Sequence, residues 1–292
     1  MGEGGPLINL GDLSRPATVL IEKVSDAVGG IARPGQIRRV ARAEAEAEII
    51  RAEARIQITD MEKRALVRMV REEGQKQENI ENITAQAIPH LNPDAKPEKI
   101  EKDWLTHFFD RCRLVSDQEM QSLWSRILAS EANTPGNFSP RTIDLVAPFS
   151  KRDAQLFTNF CTFVWMVGPL TALVFDPEKE IYQKAGITFD QLMHLDNIGL
   201  VTFDPLAGYA RLRLPKYAHF FYYGRPVTIE FPENENKLDI GNVLLTRAGI
   251  ELAGICNSKP SEEFFSYVIS KLINGNYAIS IPISARDAYK AW

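Results

Sequence analysis

The side chains that most often carry chemistry occur in this sequence, but they do not stand in a catalytic or metal-binding pattern. No histidine pair has the His-x-x-x-His spacing and no cysteine pair has the spacing of a zinc site. Glycine-rich phosphate loops and the G-x-S-x-G nucleophile motif do not occur. We therefore expect no cofactor, no metal and no catalytic residue, and we favour a protein that is not an enzyme. The residues considered are His90, His107, His194, His219, Cys112, Cys161 and Cys256.

Glu131 and Arg141 are an oppositely charged pair on either side of a turn at Asn133-Thr-Pro-Gly-Asn137. Proline fixes one backbone angle and glycine permits a positive one, so the turn is firm. A salt bridge or a cap that fixes this turn is the favoured interpretation. An active site is the alternative, and a deep polar pocket holding both residues and a histidine would support it.

Three short helices over residues 119–160 position these charges. Ser139-Pro140 begins the second helix, and a capping box from Ser150 to Asp153 begins the third, which we extend to Trp165. The apolar stripe of the first helix is Met120, Leu123, Trp124, Ile127 and Leu128. We interpret the residues that define the whole stretch as structural: Trp124, Glu131, Pro135, Gly136, Ser139, Arg141 and Asp153.

The run LWSRILASEANTPGNFSPRTIDLVAPFSKRDAQLF resembles the signature of a bacterial family known as a domain of unknown function. Phe149 stands where that pattern usually has leucine. The opening LINLGDLSRPATVLIEKVSDAVGGI is similar to the same family. The run is also more loosely similar to the abortive-infection alpha family. That second likeness implies bacterial phage defence as the biological setting.

Composition predicts an ordinary soluble protein. Of 292 residues, 45% are hydrophobic and 25% are charged, and the net charge of −4 gives no reason to expect nucleic-acid binding. Three separated cysteines predict buried free thiols in a reducing cytoplasm. No apolar run is long enough to cross a membrane, and the first residues lack signal-peptide character.

The N-terminal segment Leu7–Ile31 reads as an amphipathic helix that starts near Ser14-Arg-Pro16 and stops at Gly29-Gly30. Its apolar face could lie on a membrane surface or pack on a partner helix. The polar face mixes acidic and basic side chains, which favours partner packing.

The longest helical pattern runs from Gln36 to about Ile88. Its apolar stripe is narrow and rich in alanine, so the helix needs a partner. We predict an antiparallel hairpin or self-association, and a homo-oligomer as the outcome, in a straight or weakly right-handed assembly. The expected contact residues are Ile50, Ala54, Ile58, Met61, Ala65 and Met69.

The C-terminal part has the order of elements of a winged-helix domain. A short helix from Ile187, the run LDNIGLV, strands near Phe203 and Tyr209–Leu214, and a closing Val243–Leu252 strand-and-helix support this. Between them we expect an extra β hairpin whose loop is Pro232–Lys237. The helix TFDQLMHLDNI has two aspartates and no basic residue, so phosphates would repel it and DNA binding is unlikely. An amphipathic helix over 261–273 and an edge strand over 277–283 end the chain.

The sequence thus predicts a mainly α protein with a C-terminal α+β module. The expected domains are an N-terminal helix (1–35), a helical arm with a proline-rich linker (36–97), a helical core (98–175) and a winged-helix-like module (176–292). The favoured function is a non-enzymatic, self-associating cytoplasmic protein of phage defence that acts through protein contacts. A peripheral inner-membrane effector and an enzyme without a visible motif are the alternatives.

Overall fold

The computed structural model describes residues 13–29, 59–275 and 277–282. The chain forms two compact units, Met1–Pro148 and Phe149–Trp292. The first unit is helical and the second combines helices with small antiparallel sheets, so the chain is an α+β mix. The sequence-based boundary after residue 175 lies inside the second unit.

The described part of the first unit contains five α-helices: α1 Arg15–Val28, α2 Asp60–Ala87, α3 Lys102–Cys112, α4 Gln118–Asn133 and α5 Pro140–Val146. Helix α1 begins with Ser14 as N-cap and ends at Gly29 in the left-handed conformation. Its apolar side chains Ala17, Leu20 and Val24 are fully buried where the helix packs on α3. The membrane-surface alternative needs this face exposed, whereas the body of the protein covers it.

Helix α2 begins at Asp60, so the prediction of one continuous helix from Gln36 was wrong. Thr59 has extended backbone angles and forms a reciprocal capping box with Glu62, which starts a new helix at this point. A threonine with glutamate three residues later offers the backbone amides local partners that a continuing helix would not use. The expected contact residues Ile50, Ala54 and Ile58 lie outside the described residues.

The proline-rich segment after α2 is held against the core. It makes two turns of 3₁₀ helix, Ile88–His90 and Pro97–Lys99. The side chain of Asn133, at the end of α4, accepts a bond from the Asn92 amide at 2.8 Å and donates to the His90 carbonyl at 3.0 Å. Asn133 thereby fixes this segment beside α4.

The second unit contains five helices in its described part: α6 Lys151–Cys161, α7 Glu180–Gln183, α8 Phe189–Asn197, α9 Arg247–Ala253 and α10 Glu262–Asn274. Its strands are β1 Val164–Met166, β2 Leu170–Ala172, β3 Val201–Phe203, β4 Tyr209–Leu214, β5 Tyr217–Tyr222, β6 Arg225–Glu230, β7 Asn236–Gly241, β8 Val243–Leu245 and β9 Ala278–Ser280. Helix α6 ends at Cys161, so the extension to Trp165 was wrong. Trp165 instead lies in β1, where its ring stacks on Tyr222 and on Phe265, whose rings also contact each other.

The largest sheet has the strand order β2-β1-β5-β6-β9, with β9 at the edge as expected. The hairpin is β5–β6, and its turn is Tyr223-Gly224, where both φ angles are positive. The predicted hairpin loop near Pro232 was wrong, because it links β6 to β7, and β7 pairs with β4 in another sheet. Strand β3 pairs with β8.

Candidate interaction surface and signature turn

Three apolar positions at the start of α2 are open to solvent. Met61 is 70% exposed and Met69 is 61% exposed, and Ala65 between them is also exposed. The three lie four residues apart and therefore share one face of the helix. We call Met61, Ala65 and Met69 the exposed stripe.

The exposed stripe continues a face that is buried further along the same helix. Asn79, Ile83 and Ala87 each follow a stripe residue by eighteen positions, which is five full turns at 3.6 residues per turn. All three are buried, and this part of α2 packs on α4. One helix face is thus covered by α4 near its end and uncovered near its start.

Polar contacts lock the buried part of α2 in place. The Asn79 side chain donates to the Arg113 carbonyl at 2.8 Å and accepts from Gln121 at 3.1 Å. Gln121 also donates to the Val115 carbonyl at 2.8 Å. Since these buried amides are satisfied by fixed partners, the direction in which α2 leaves the core is set.

Glu131 holds the turn at residues 133–137, which we call the signature turn, by accepting hydrogen bonds from its backbone. Its side chain is 3% exposed, and its two oxygens accept the Gly136 amide at 2.6 Å and the Phe138 amide at 2.9 Å. Gly136 has a φ of 88°, which favours glycine. Pro135 precedes it in the same turn. The carboxylate therefore closes a loop between α4 and α5.

Trp124, Ser139 and Arg141 lie in the same unit as this loop. The Trp104 indole donates to the Phe138 carbonyl at 2.8 Å, and the buried Trp124 ring packs edge-on against Phe108. Ser139 caps α5 by accepting the Thr142 amide, and Arg141 is exposed on the first turn of that helix. The structure places Glu131 inside the turn and Arg141 on the surface.

Asp153, in the second unit, binds a histidine that sequence reasoning missed. Its Oδ2 accepts the Ser150 amide and hydroxyl, and its Oδ1 lies 2.6 Å from His194 Nε2 on α8. Burial opposes ionisation of Asp153, but the hydrogen bonds from Ser150 and His194 outweigh it and hold the pKa below its usual value. The two residues are about 41 positions apart, so no local spacing revealed the contact.

Helix α8 presents apolar and acidic side chains to solvent. Phe189, Asp190 and Met193 are exposed, and the Phe189 ring packs edge-on against Phe203 in β3. Thr188 caps the helix. The negative charge of Asp190 on this surface would repel a phosphate group.

The described residues contain neither a membrane-spanning helix nor a metal-binding cluster. No helix there is long and apolar enough to span a bilayer. Histidine, cysteine, aspartate and glutamate side chains in these segments do not gather in a group of three that could hold a metal.

Comparison with known proteins gives one match. No curated protein and no solved structure matches the chain significantly. A family model described as "Protein of unknown function (DUF2806)" matches residues 63–269. This span includes most of α2, the signature turn and the second unit through most of α10. Because it covers well over half of the sequence, the chain belongs to the DUF2806 family.

Proposed function

We propose that this protein is a non-enzymatic, self-associating protein and that the exposed stripe of α2 is part of its assembly surface. The observation that carries the proposal is the continuation of a buried helix face into solvent. Two methionines that are 70% and 61% exposed stand in line with residues packed on α4. Exposed apolar side chains in one row typically mark an interaction surface.

The position of α4 favours an antiparallel pair of α2 helices. A parallel partner lying on the exposed stripe would continue along the same face and meet α4 at Asn79 and Ile83. In an antiparallel pair, the α4 helix of the partner would lie beyond the other end of the exposed stripe. The two copies of α4 would then not collide. Crossing at Ala65 brings Met61 of each chain opposite Met69 of the other, with the small alanines allowing close approach.

The stripe alone supports only weak association. Burying four methionines contributes about 6–12 kcal/mol, at roughly 1.5–3 kcal/mol each. Association costs about 4–15 kcal/mol in lost freedom of motion. Apolar residues further upstream, Ile50, Ala54 and Ile58, lie outside the described residues.

Light scattering on the full chain tests this proposal. The wild type should have a mass that is a multiple of 32.9 kDa, and the double variant Met61→Glu/Met69→Glu should fall to 32.9 kDa. Met166→Glu is the matched control, since Met166 is exposed in the second unit. A wild type that stays monomeric at high concentration, or a double variant that keeps its assembly, contradicts the proposal.

For the second unit we propose a winged-helix-like module that contacts protein. The capped α8, the β3–β8 pair and the β4–β7 pair support this, with β5 and β6 as an insertion between the strands of the wing. The acidic α8 surface supports a partner other than DNA. Fluorescence anisotropy with a labelled random duplex at low salt is the test, and salt-sensitive micromolar binding would contradict it.

Phage defence is the proposed setting, and its support is the sequence likeness to the abortive-infection alpha family. A deletion strain should become more sensitive to some phages in a broad panel, and Met61→Glu/Met69→Glu should fail to restore protection where the wild type succeeds. Unchanged sensitivity across the panel would discard this setting.

A further inference from the structure

A groove of about 530 Å³ lies on the surface of the second unit. It is lined by residues of α10, of β7 and of the segment that follows β2, and we call it the α10 groove. Pockets that bind small molecules typically enclose roughly 300–1,000 Å³. Every described residue that lines the groove belongs to the second unit, so the groove does not depend on the assembly proposed for α2.

The lining of the α10 groove is mainly apolar and aromatic. Two leucines, Leu238 and Leu272, are each 5% exposed, and the other apolar lining comes from the partly buried rings of Phe175, Tyr267 and Tyr277. The Phe175 and Tyr267 rings contact each other, with their centroids 6.3 Å apart. Aromatic side chains bind flat rings by offset stacking or by edge-to-face contact. A ligand with an aromatic ring therefore suits this lining.

The α10 groove also holds a positive and a negative side chain, Lys271 and Asp239, which do not pair with each other. The Lys271 ammonium lies 4.5 Å from the centre of the Phe175 ring, and no carboxylate in the described ranges is within ion-pair distance of it. Asp239 accepts the Gly241 amide at 2.9 Å through Oδ1, and its Oδ2 has no hydrogen bond to the described part of the chain. A ligand with one negative and one positive group can pair with both side chains.

Two neutral polar side chains stand beside Lys271 on the same helix face. Tyr267, Ser270, Lys271 and Asn274 follow the i, i+3, i+4, i+7 spacing of a single face of α10. The side chains of Ser270 and Asn274 have no hydrogen-bond partner among residues 13–29, 59–275 and 277–282. A hydroxyl and an amide can both donate to a carboxylate. The α10 side of the groove therefore suits the negative group of the ligand.

We propose that the α10 groove binds a free aromatic α-amino acid. The ring of the ligand lies among Phe175, Tyr267 and Tyr277. Its carboxylate pairs with Lys271, and its ammonium pairs with Asp239. An aromatic α-amino acid carries a flat ring, a carboxylate and an ammonium group around one carbon atom, so a single small molecule meets all three features of the groove.

A peptide terminus offers the same ring with only one of the two charges. The last residue of a protein keeps its carboxylate, but its nitrogen is a neutral amide. The first residue keeps its ammonium, but its carboxyl group is an amide. Because Lys271 and Asp239 line the same groove, the pair favours the free amino acid over either terminus.

Fluorine NMR of para-fluoro-L-phenylalanine, titrated with the full wild-type chain, tests the site. The fluorine resonance should shift and broaden in a saturable manner. N-acetyl-para-fluoro-L-phenylalanine lacks the ammonium, and para-fluoro-L-phenylalanine amide lacks the carboxylate. Each of these two compounds should bind about three- to tenfold more weakly than the free amino acid, because each leaves one charged side chain of the groove without its partner.

Two variants assign the charges. Lys271→Met keeps an apolar stem, and it should bind the free amino acid and its amide equally, because the carboxylate no longer has a partner. Asp239→Asn keeps an oxygen for the Gly241 amide, and it should bind the free amino acid and the N-acetyl compound equally. Lys259→Met is the matched control, since Lys259 is exposed in the second unit and does not line the groove, and it should bind as wild type does.

Ser270→Phe places a ring in the groove from an exposed position and should abolish binding, with circular dichroism as the check on folding. A fluorine resonance that wild type leaves unchanged would overturn the proposal. Equal binding of the N-acetyl compound and the free amino acid by wild type would assign the groove to a protein C-terminus and would also overturn it. Undiminished binding by both Lys271→Met and Ser270→Phe would place the ligand elsewhere, with the same consequence.

Discussion

Ala65 and Ile83 lie on the same line of α2, five turns apart, yet Ala65 is exposed and Ile83 is fully buried. The difference comes from α4, which covers the helix only near its end. Substitutions at the two positions can therefore test stability and the proposed assembly separately within a single helix face.

The first prediction uses this separation. Ile83→Ala should lower the free energy of unfolding by about 2–4 kcal/mol, because it leaves a cavity between α2 and α4. Met69→Ala should change it by less than about 0.5 kcal/mol in a dilute, monomeric sample. Urea unfolding at micromolar concentration measures both. Equal losses for the two variants would show that the stripe is buried within the monomer.

The second prediction concerns the direction of pairing. In an antiparallel pair centred on Ala65, a mixture of Met61→Cys and Met69→Cys chains should cross-link readily under mild oxidation. Each variant alone should cross-link weakly, since its cysteines would lie far apart across the pair. Met166→Cys controls for chance collisions, because Met166 is also exposed. Strong cross-linking of Met61→Cys alone indicates a parallel pair and overturns the proposed direction.

Local patterns in the sequence predicted much of the helical structure. The apolar spacing of Met120 to Leu128 gave the buried face of α4, and Ser139 and Ser150 were recognised as N-caps. These features depend on residues within one or two turns. The break at Thr59 also has a local signal, the pair Thr59 and Glu62, but the good helix formers upstream outweighed it in the prediction.

Contacts between distant segments could not be predicted in this way. Asp153 was expected to cap α6, and it does, but nothing near it in the sequence indicates His194. The β5–β6 hairpin was misplaced because Tyr223-Gly224 is a weaker turn signal than the longer polar loop after Pro232.

The third prediction concerns the signature turn. Glu131→Gln removes a carboxylate that accepts two backbone amides in a buried loop, and the amide side chain offers one oxygen in its place. The loss should be about 1–3 kcal/mol of unfolding free energy. Glu98→Gln, at an exposed position in the same unit, should change little. Comparable urea midpoints for the two variants would show that Glu131 does not hold the turn.

The fourth prediction is a dependence on pH. The pKa of Asp153 is lowered in the folded protein, so its contribution to stability is complete above the unfolded value of about 3.9 and disappears as the pH falls through the folded value. Wild type should therefore exceed Asp153→Asn in stability at pH 6, and the gap should close below about pH 4. Urea midpoints across this range measure it, with the exposed Asp190→Asn as control. If the difference in stability between wild type and Asp153→Asn does not change with pH, the charge of Asp153 does not stabilise the fold.

The fifth prediction compares two glycines of the second unit that both have positive φ. Gly241 has a φ of 92°, and a Cβ there would lie 2.0 Å from the Val174 carbonyl oxygen, whereas Gly224 has a φ of 80° and open space around it. Gly224→Ala should cost about 1–2 kcal/mol from backbone strain alone. Gly241→Ala adds a collision with backbone that cannot move without separating β7 from the Val174 segment, so its cost should be about 3 kcal/mol or more. Urea unfolding followed by tryptophan fluorescence gives both values. Equal losses of unfolding free energy for the two variants would show that the close approach of Gly241 to Val174 does not restrict substitution at this position.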